Sequence, residues 1–270
     1  MLKVRVITAL VLLAVLLPVL YSNSFIAFIL LVTPFFAAAC WESFRLFNSR
    51  HPGIGTAIWT SAFVFMVFNG SSGSALFGIC VALWVFFFVP SLATGLPAQN
   101  SLFSRLLGGT YGISILGCFM AIVVLYQHSP ALLLSVMGIV WIADIGAYFS
   151  GKAFGKRKLA PSISPGKSWE GAIGGWVAVM VAAAVSTQLP QLSSTFSAKL
   201  QTNFGWLGLI AGMTLLVAAS IIGDLFESLL KRRANMKDSS KLLPGHGGVL
   251  DRIDALIPVL PLATLFSAWL

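Results

Sequence analysis

Residues 130–150 read PALLLSVMGIVWIADIGAYFS, a run of 21 residues with one charged side chain, Asp144. About 20 apolar residues in helical form cross the hydrocarbon core of a bilayer. The run is apolar around its whole circumference, which marks a membrane span and not a helix lying on a soluble core. An aspartate two turns from the end of such a span is costly, by about 2.5–3.5 kcal/mol at mid-membrane on insertion scales, so Asp144 is expected to face protein or water. Asp144, Tyr148 and Gly151 share one face at helical spacing. Two readings of Asp144 stand: a structural bridge to a nearby lysine, or part of a working site.

The same composition extends outward in both directions. The 270 residues are 58% hydrophobic and only 9% charged, against about a quarter charged in soluble domains. The chain is therefore read as an all-α polytopic membrane protein. Nine spans are expected: Val4 to Tyr21, Ser24 to Trp41, Thr56 to Phe68, Ser74 to Leu92, Leu106 to Gln127, Pro130 to Ser150, Gly171 to Leu189, Phe204 to Leu230 and Ile253 to Leu270. The first has no small-residue cleavage site behind it and is read as an uncleaved span, not a signal peptide. Residues 1–270 form one membrane domain, with 1–127 largely scaffold helices and 130–270 the catalytic helices and loops.

Cytoplasmic connections collect Lys and Arg. With a cytoplasmic amino terminus, Lys3, Arg5, Arg45, Arg50, Arg105, the Lys152 to Lys167 group and the Lys231 to Arg252 group all fall inside, leaving Lys199 outside. This rule accounts for much of the net charge of +9, so no nucleic-acid partner is implied. The external connections, NGSSG at 69–73, QHS at 127–129 and the Ser/Thr-rich stretch 190–203, read as turns. Cys40, Cys80 and Cys118 lie in apolar runs without metal-ligand spacing and read as small buried side chains.

Of eight acidic residues only Glu42 precedes position 144. Chemistry is thus expected in a polar cavity at the cytoplasmic face of the last four spans, and Glu42→Gln is expected to be mild. In SISPGKSWEGAIGG, residues 162–175, Ser164 or Ser168 suits the cap of a following helix and Glu170 its first turn. The Gly166-Lys167 pair before that helix also suits an anion. Both readings remain open.

The densest charge lies from Gly223 to Asp254, GDLFESLLKRRANMKDSSKLLPGHGGVLDRID, with five acidic residues, six basic residues and a histidine. Asp224, Glu227, Ser228 and Lys231 fall along one helical stripe. Gly245, Gly247 and Gly248 permit close backbone approach, and Asp251 and Asp254 share a face beyond them. Two aspartate sets joined by a Gly-rich turn suit a divalent cation, which takes oxygen ligands. The surrounding bases would offset a polyphosphate. His246, between glycines, either fixes the turn or touches phosphate.

The pattern S-L-L-K-R-x4-K-D-x-S-x2-L-P-G-H-G-G-V-x-D-R-I-D from Ser228 to Asp254 resembles the signature of CDP-diacylglycerol synthases, the phosphatidate cytidylyltransferases. D-I-G-A-Y-x2-G-K-x-F-G-K and S-P-G-K-S-W-E-G upstream are similar to the same family. The resemblance implies a nucleotidyltransferase that condenses CTP with phosphatidate to CDP-diacylglycerol and pyrophosphate. It also implies Mg2+, a K+ ion as second metal, a homodimer and a bacterial inner-membrane location. Carried over by position, it implies Asp224, Asp251 and Asp254 as metal ligands, with Asp144, Lys167, Lys231, Lys237, Asp238, His246 and Arg252 in the catalytic set. Ser164, Ser168, Ser228, Arg232, Gly247 and Gly248 are the implied substrate contacts. The competing readings are a transporter of an anionic or phosphorylated solute and another lipid-linked nucleotidyl- or phosphotransferase.

Overall fold

A computed structural model describes residues 2–22, 24–70, 74–99 and 101–269. Residues 71–73 of the NGSSG connection and Leu270 of the expected ninth span lie outside the described residues. The chain runs α1 (Leu2–Tyr21), α2 (Phe25–Leu46), α3 (Pro52–Phe68), α4 (Ser74–Leu83), a π-helical turn (Trp84–Phe88) and α5 (Val89–Thr94). It continues through α6 (Leu102–His128), α7 (Pro130–Phe154), β1 (Lys158–Ala160), β2 (Ser164–Ser168), α8 (Trp169–Gln188), α9 (Phe196–Arg233), α10 (Leu250–Ile253) and α11 (Leu256–Ser267).

Among the described residues, six helical segments have the length and apolarity to cross a membrane: Phe25–Leu46, Ser74–Thr94, Leu102–His128, Pro130–Phe154, Trp169–Gln188 and Phe196–Arg233. The apolar α3 and α11 are shorter. The chain is an all-α membrane protein, apart from one small antiparallel hairpin, β1–β2.

Three differences from the sequence reading have local causes. The Ser/Pro/Gly-rich connection after α7 folds as the β1–β2 hairpin, in which Lys158 pairs with Ser168 and Ala160 with Ser164. The helix expected to begin at Phe204 begins at Phe196, with Thr195 as its cap, and breaks at Gly205. There φ is 67° and ψ −171°, a backbone conformation open to glycine alone. The expected ninth span is interrupted by the turn at Asp254 and Ala255, so α10 carries Asp251 and Arg252 ahead of α11.

α7 and α8 touch along a seam of small residues. A Cβ on Gly146 would lie 2.8 Å from that of Ala178, and one on Gly175 would lie 2.5 Å from the Ala143 carbonyl oxygen. In lipid, helices associate by close packing and not by hydrophobic exclusion, so glycine at such a seam is a requirement of shape. α11 is buried nearly throughout, from Leu256 to Ala263. Tyr111 of α6, Phe88 of the π-helical turn and Phe226 of α9 meet edge-on or tilted, with centroids 4.7–5.8 Å apart. This aromatic contact fixes the height of α9, and hence of the charged stripe at its end. Cys40, Cys80 and Cys118 are all buried.

Candidate active site

α7, α8 and the end of α9 enclose a cleft of about 430 Å³ whose polar lining includes Asp144, Tyr148, Lys167, Ser168, Ser220 and Asp224. Lys167 reaches it from β2. The hairpin is clamped by Glu170, whose carboxylate accepts the backbone N–H groups of Lys156 at 3.1 Å and Arg157 at 3.2 Å. Ser168 caps α8, accepting from the Gly171 N–H at 3.1 Å. Of the two sequence candidates, Ser168 is therefore the cap, while Ser164 pairs with Ala160. Arg232, expected at the substrate, donates from Nε to the Ile163 carbonyl at 3.2 Å and so holds the hairpin against α9.

Within the cleft, Lys167 Nζ is 2.5 Å from Asp224 Oδ2. Ser228 donates to Asp224 Oδ1 at 3.3 Å, and Asp144 lies in the field of both Asp224 and Lys167. Asp144 lines the same cleft as Lys167 and Asp224. Asp254 lies against the same stretch of α9, beside Gly223. Its approach to α9 depends on Gly223, where a Cβ would overlap the Asp254 carbonyl oxygen and lie 2.9 Å from the Pro258 ring.

Two turns beyond Asp224 along α9, Lys231 pairs with the buried Glu227 and with Asp251 Oδ1, the latter at 2.7 Å. Asp251 Oδ2 accepts from the Ser239 N–H at 2.8 Å, the Ser239 hydroxyl at 2.9 Å and the Gly248 N–H at 2.7 Å. Burial pulls the Asp251 carboxyl upward, but the Lys231 ammonium and the Gly248 N–H outweigh it and hold the group below the ordinary carboxylate range. Glu227 is buried, with Oε2 paired to the Lys231 ammonium and Oε1 without a hydrogen-bond partner.

Among the described residues no group of three or more His, Cys, Asp or Glu side chains forms a ready-made metal cage. The donor set is nevertheless all oxygen, with Glu227 left short of partners. That fits a hard cation such as Mg2+, which takes one or two carboxylates and completes its shell with water and substrate phosphates.

A second cleft, of about 500 Å³, lies on the loop after α9 and is lined by Lys237, Asp238, Lys241, His246, Gly247 and Arg252. Here the PGHGG turn closes on itself, with the Leu243 N–H donating to the Gly247 carbonyl at 2.9 Å. Arg252 donates from Nε and Nη2 to the His246 carbonyl at 3.0 and 2.6 Å. The residues expected to meet phosphate are therefore not gathered in one cleft: Lys167 lines the first, Lys237, His246 and Arg252 line the second, and Lys231 and Arg232 line neither.

Glu42 is the residue that sequence reasoning missed. From α2, the middle of the supposed scaffold, its fully buried carboxylate accepts from Ser239 Oγ at 3.0 Å, Ser240 Oγ at 2.5 Å, Val249 N at 3.0 Å and Leu250 N at 2.6 Å. The expectation that Glu42 is a spectator whose loss is mild does not survive this geometry, because a buried carboxylate with four donors cannot be removed without leaving them unsatisfied. The one available signal was a lone acid, the only one in the first half of the chain, in a helix whose other charge is Arg45.

A membrane-embedded fold that gathers aspartates and lysines from α7, β2 and α9 around a cleft has the character of an enzyme acting on phosphates. A family model described as the Cytidylyltransferase family matches residues 3–270. A phosphatidate cytidylyltransferase of Pseudomonas aeruginosa is 37% identical over 281 residues, covering 99% of this chain and 98% of its own length. One from Haemophilus influenzae is 48% identical over 145 residues, 52% of this chain and 48% of its own. One from Bacillus subtilis is 42% identical over 133 residues, 48% and 46% respectively. The chain belongs to the cytidylyltransferase family.

Proposed function

We propose that the protein transfers the cytidylyl group of CTP to phosphatidate, giving CDP-diacylglycerol and pyrophosphate. The observation that carries this reading is the Asp144–Lys167–Asp224 cluster in a cleft between membrane helices, in a chain matched end to end by a relative named for that activity. A phosphatidate oxygen forms a bond to the α-phosphorus of CTP as the bond to the pyrophosphate oxygen breaks. The attacking phosphomonoester is anionic near neutral pH, so the reaction needs no strong base and no serine or cysteine nucleophile. What it needs is relief of repulsion between two anionic substrates, and preorganised positive groups supply that.

Lys167 and Lys231 are the cations best placed for this role, and each is held in place by carboxylates. Asp224 and Asp254, with Glu227 beside them, are the residues that would hold Mg2+, with K+ as a second ion. When bound, the metal supplies charge neutralisation at the phosphates. Both Asp251 oxygens are already committed, to four donors in all, so its role is to fix Lys231 and the loop.

The membrane frame of the proposal is nine crossings, with α1, α3 and α11 added to the six longer segments, a cytoplasmic amino terminus and an inner-membrane location. The site then opens to the cytoplasm, where CTP is. The proposal includes a homodimer. Residues 130–270 carry the catalytic groups, and residues 1–127 the scaffold together with Glu42.

Purified protein in detergent, given CTP, phosphatidate and Mg2+, should release pyrophosphate in step with CDP-diacylglycerol. A well-folded sample that makes neither product, yet moves an anionic solute unchanged into proteoliposomes, would point to a transporter instead. Lys167→Met should lower turnover by about 10²–10³-fold, the scale of losing one preorganised charge donor. Asp224→Asn should abolish turnover while leaving folded yield intact. Near-normal pyrophosphate release by either variant removes that residue from the site.

A further inference from the structure

The turn between α9 and α10 is held against the membrane helices by a carboxylate almost 200 residues earlier in the chain. Glu42 Oε1 takes the Ser240 hydroxyl and the Val249 N–H, and Oε2 takes the Ser239 hydroxyl and the Leu250 N–H. Val249 and Leu250 open α10, whose first N–H groups have no partner within the helix. Glu42 thus serves α10 as a cap supplied from another helix, with its negative charge at the helix's positive end.

The contact also explains two glycines in PGHGG. A Cβ on Gly248 would overlap Ser239 Oγ and lie 2.5 and 2.6 Å from the two Glu42 oxygens. A Cβ on Gly247, which has φ +87°, would lie 2.7 Å from Asp251 Oδ2. Two carboxylates therefore press on adjacent backbone units, Glu42 from the scaffold side and Asp251 from the cleft side. Between them stands Ser239, within hydrogen-bond distance of both, at 3.0 Å and 2.9 Å. Its single hydroxyl proton serves one acceptor at a time, so the two carboxylates share it.

We infer that Glu42 is a positioning residue for the transfer reaction: it fixes the start of α10 and, through Ser239, the Asp251 carboxylate that in turn orients Lys231. The inference rests on the cytidylyltransferase reading for its catalytic consequence, but its structural part does not. Gln at position 42 keeps the shape and replaces one acceptor by a donor. A serine hydroxyl can turn to accept from it, whereas a backbone N–H cannot, so Val249 or Leu250 loses its partner.

The test compares wild type, Glu42→Gln and Ser240→Ala in detergent by two readouts. Hydrogen exchange should show the amides of Val249 and Leu250 losing protection at least about tenfold in Glu42→Gln, with helix amides of α6 and α7 unchanged. Turnover should fall about 100-fold, and half-activation by Mg2+ should shift upward by about fivefold or more, a change that simple loss of folded protein does not produce. Ser240→Ala should move all three readouts the same way by a smaller factor, and it decides the matter if Glu42→Gln does not fold. Unchanged exchange at Val249 and Leu250, or reduced turnover with an unchanged Mg2+ dependence, overturns the inference. A wild type that exchanges as expected but transfers no cytidylyl group leaves the anchoring in place and refutes the activity instead.

Discussion

Asp251→Asn should reduce pyrophosphate release at least about 10³-fold while the protein still extracts and purifies as a folded species. Oδ1 of Asp251 faces the Lys231 ammonium at 2.7 Å, and Oδ2 faces three N–H or O–H donors at 2.7–2.9 Å. An amide has one oxygen. Placed toward the three donors, it turns its NH2 on the ammonium; turned round, it sets NH2 against two backbone N–H groups. In the first arrangement Lys231 keeps only Glu227; in the second it keeps a neutral amide oxygen while the loop loses its acceptor, and in both it shifts from the place that the proposed reaction requires. One misplaced charge donor costs about 10²–10³-fold, and here the loop is displaced as well.

The same carboxylate gives a pH signature. Its folded pKa lies below its unfolded one, so the stabilisation is present above the unfolded value and is lost as pH falls through the folded value. The wild type should therefore lose thermal stability on acidification more steeply than Asp251→Asn. Parallel melting curves for the two proteins across the acid range would remove the pairing from the account.

Gly248→Ala should be nearly as damaging, although it adds one carbon and removes nothing. The new Cβ would occupy space held by Ser239 Oγ and the Glu42 carboxylate, both fully buried. Overpacking costs about 1–3 kcal/mol, and hydrogen bonds to a charged group are worth about 1.5–3 kcal/mol each. Displacing Glu42 threatens four of these. Turnover below about 1% of wild type and a lowered melting temperature are expected. Gly138→Ala is the control, since a Cβ there meets nothing within 4 Å and alanine favours a helix by about 1 kcal/mol over glycine. Equal behaviour of the two variants would mean that the turn tolerates a side chain and that Glu42 is not pressed against it.

Much of the fold is legible in the chain because hydropathy is a local property. Leu102–His128 and Pro130–Phe154 announce themselves by length and lack of charge. The β1–β2 hairpin does not, because strands of three and five residues are too short for a period-two pattern to emerge from Ser, Pro and Gly. The first turns of α9 do not either. S-A-K-L-Q-T-N is polar enough to read as a loop, and only its cap and packing make it helical.

The site divides along the same line. Residues 223–254 already carry in sequence the acids, bases and glycines of a phosphate enzyme, because side-chain chemistry and helical spacing are written in order along the chain. Tertiary structure alone decided that Lys167 pairs with Asp224, that Arg232 serves the hairpin and that Glu42 reaches Ser239 and Leu250 across 197 and 208 positions. Such pairings depend on which helix ends meet in space, and no periodicity within one helix encodes its neighbour.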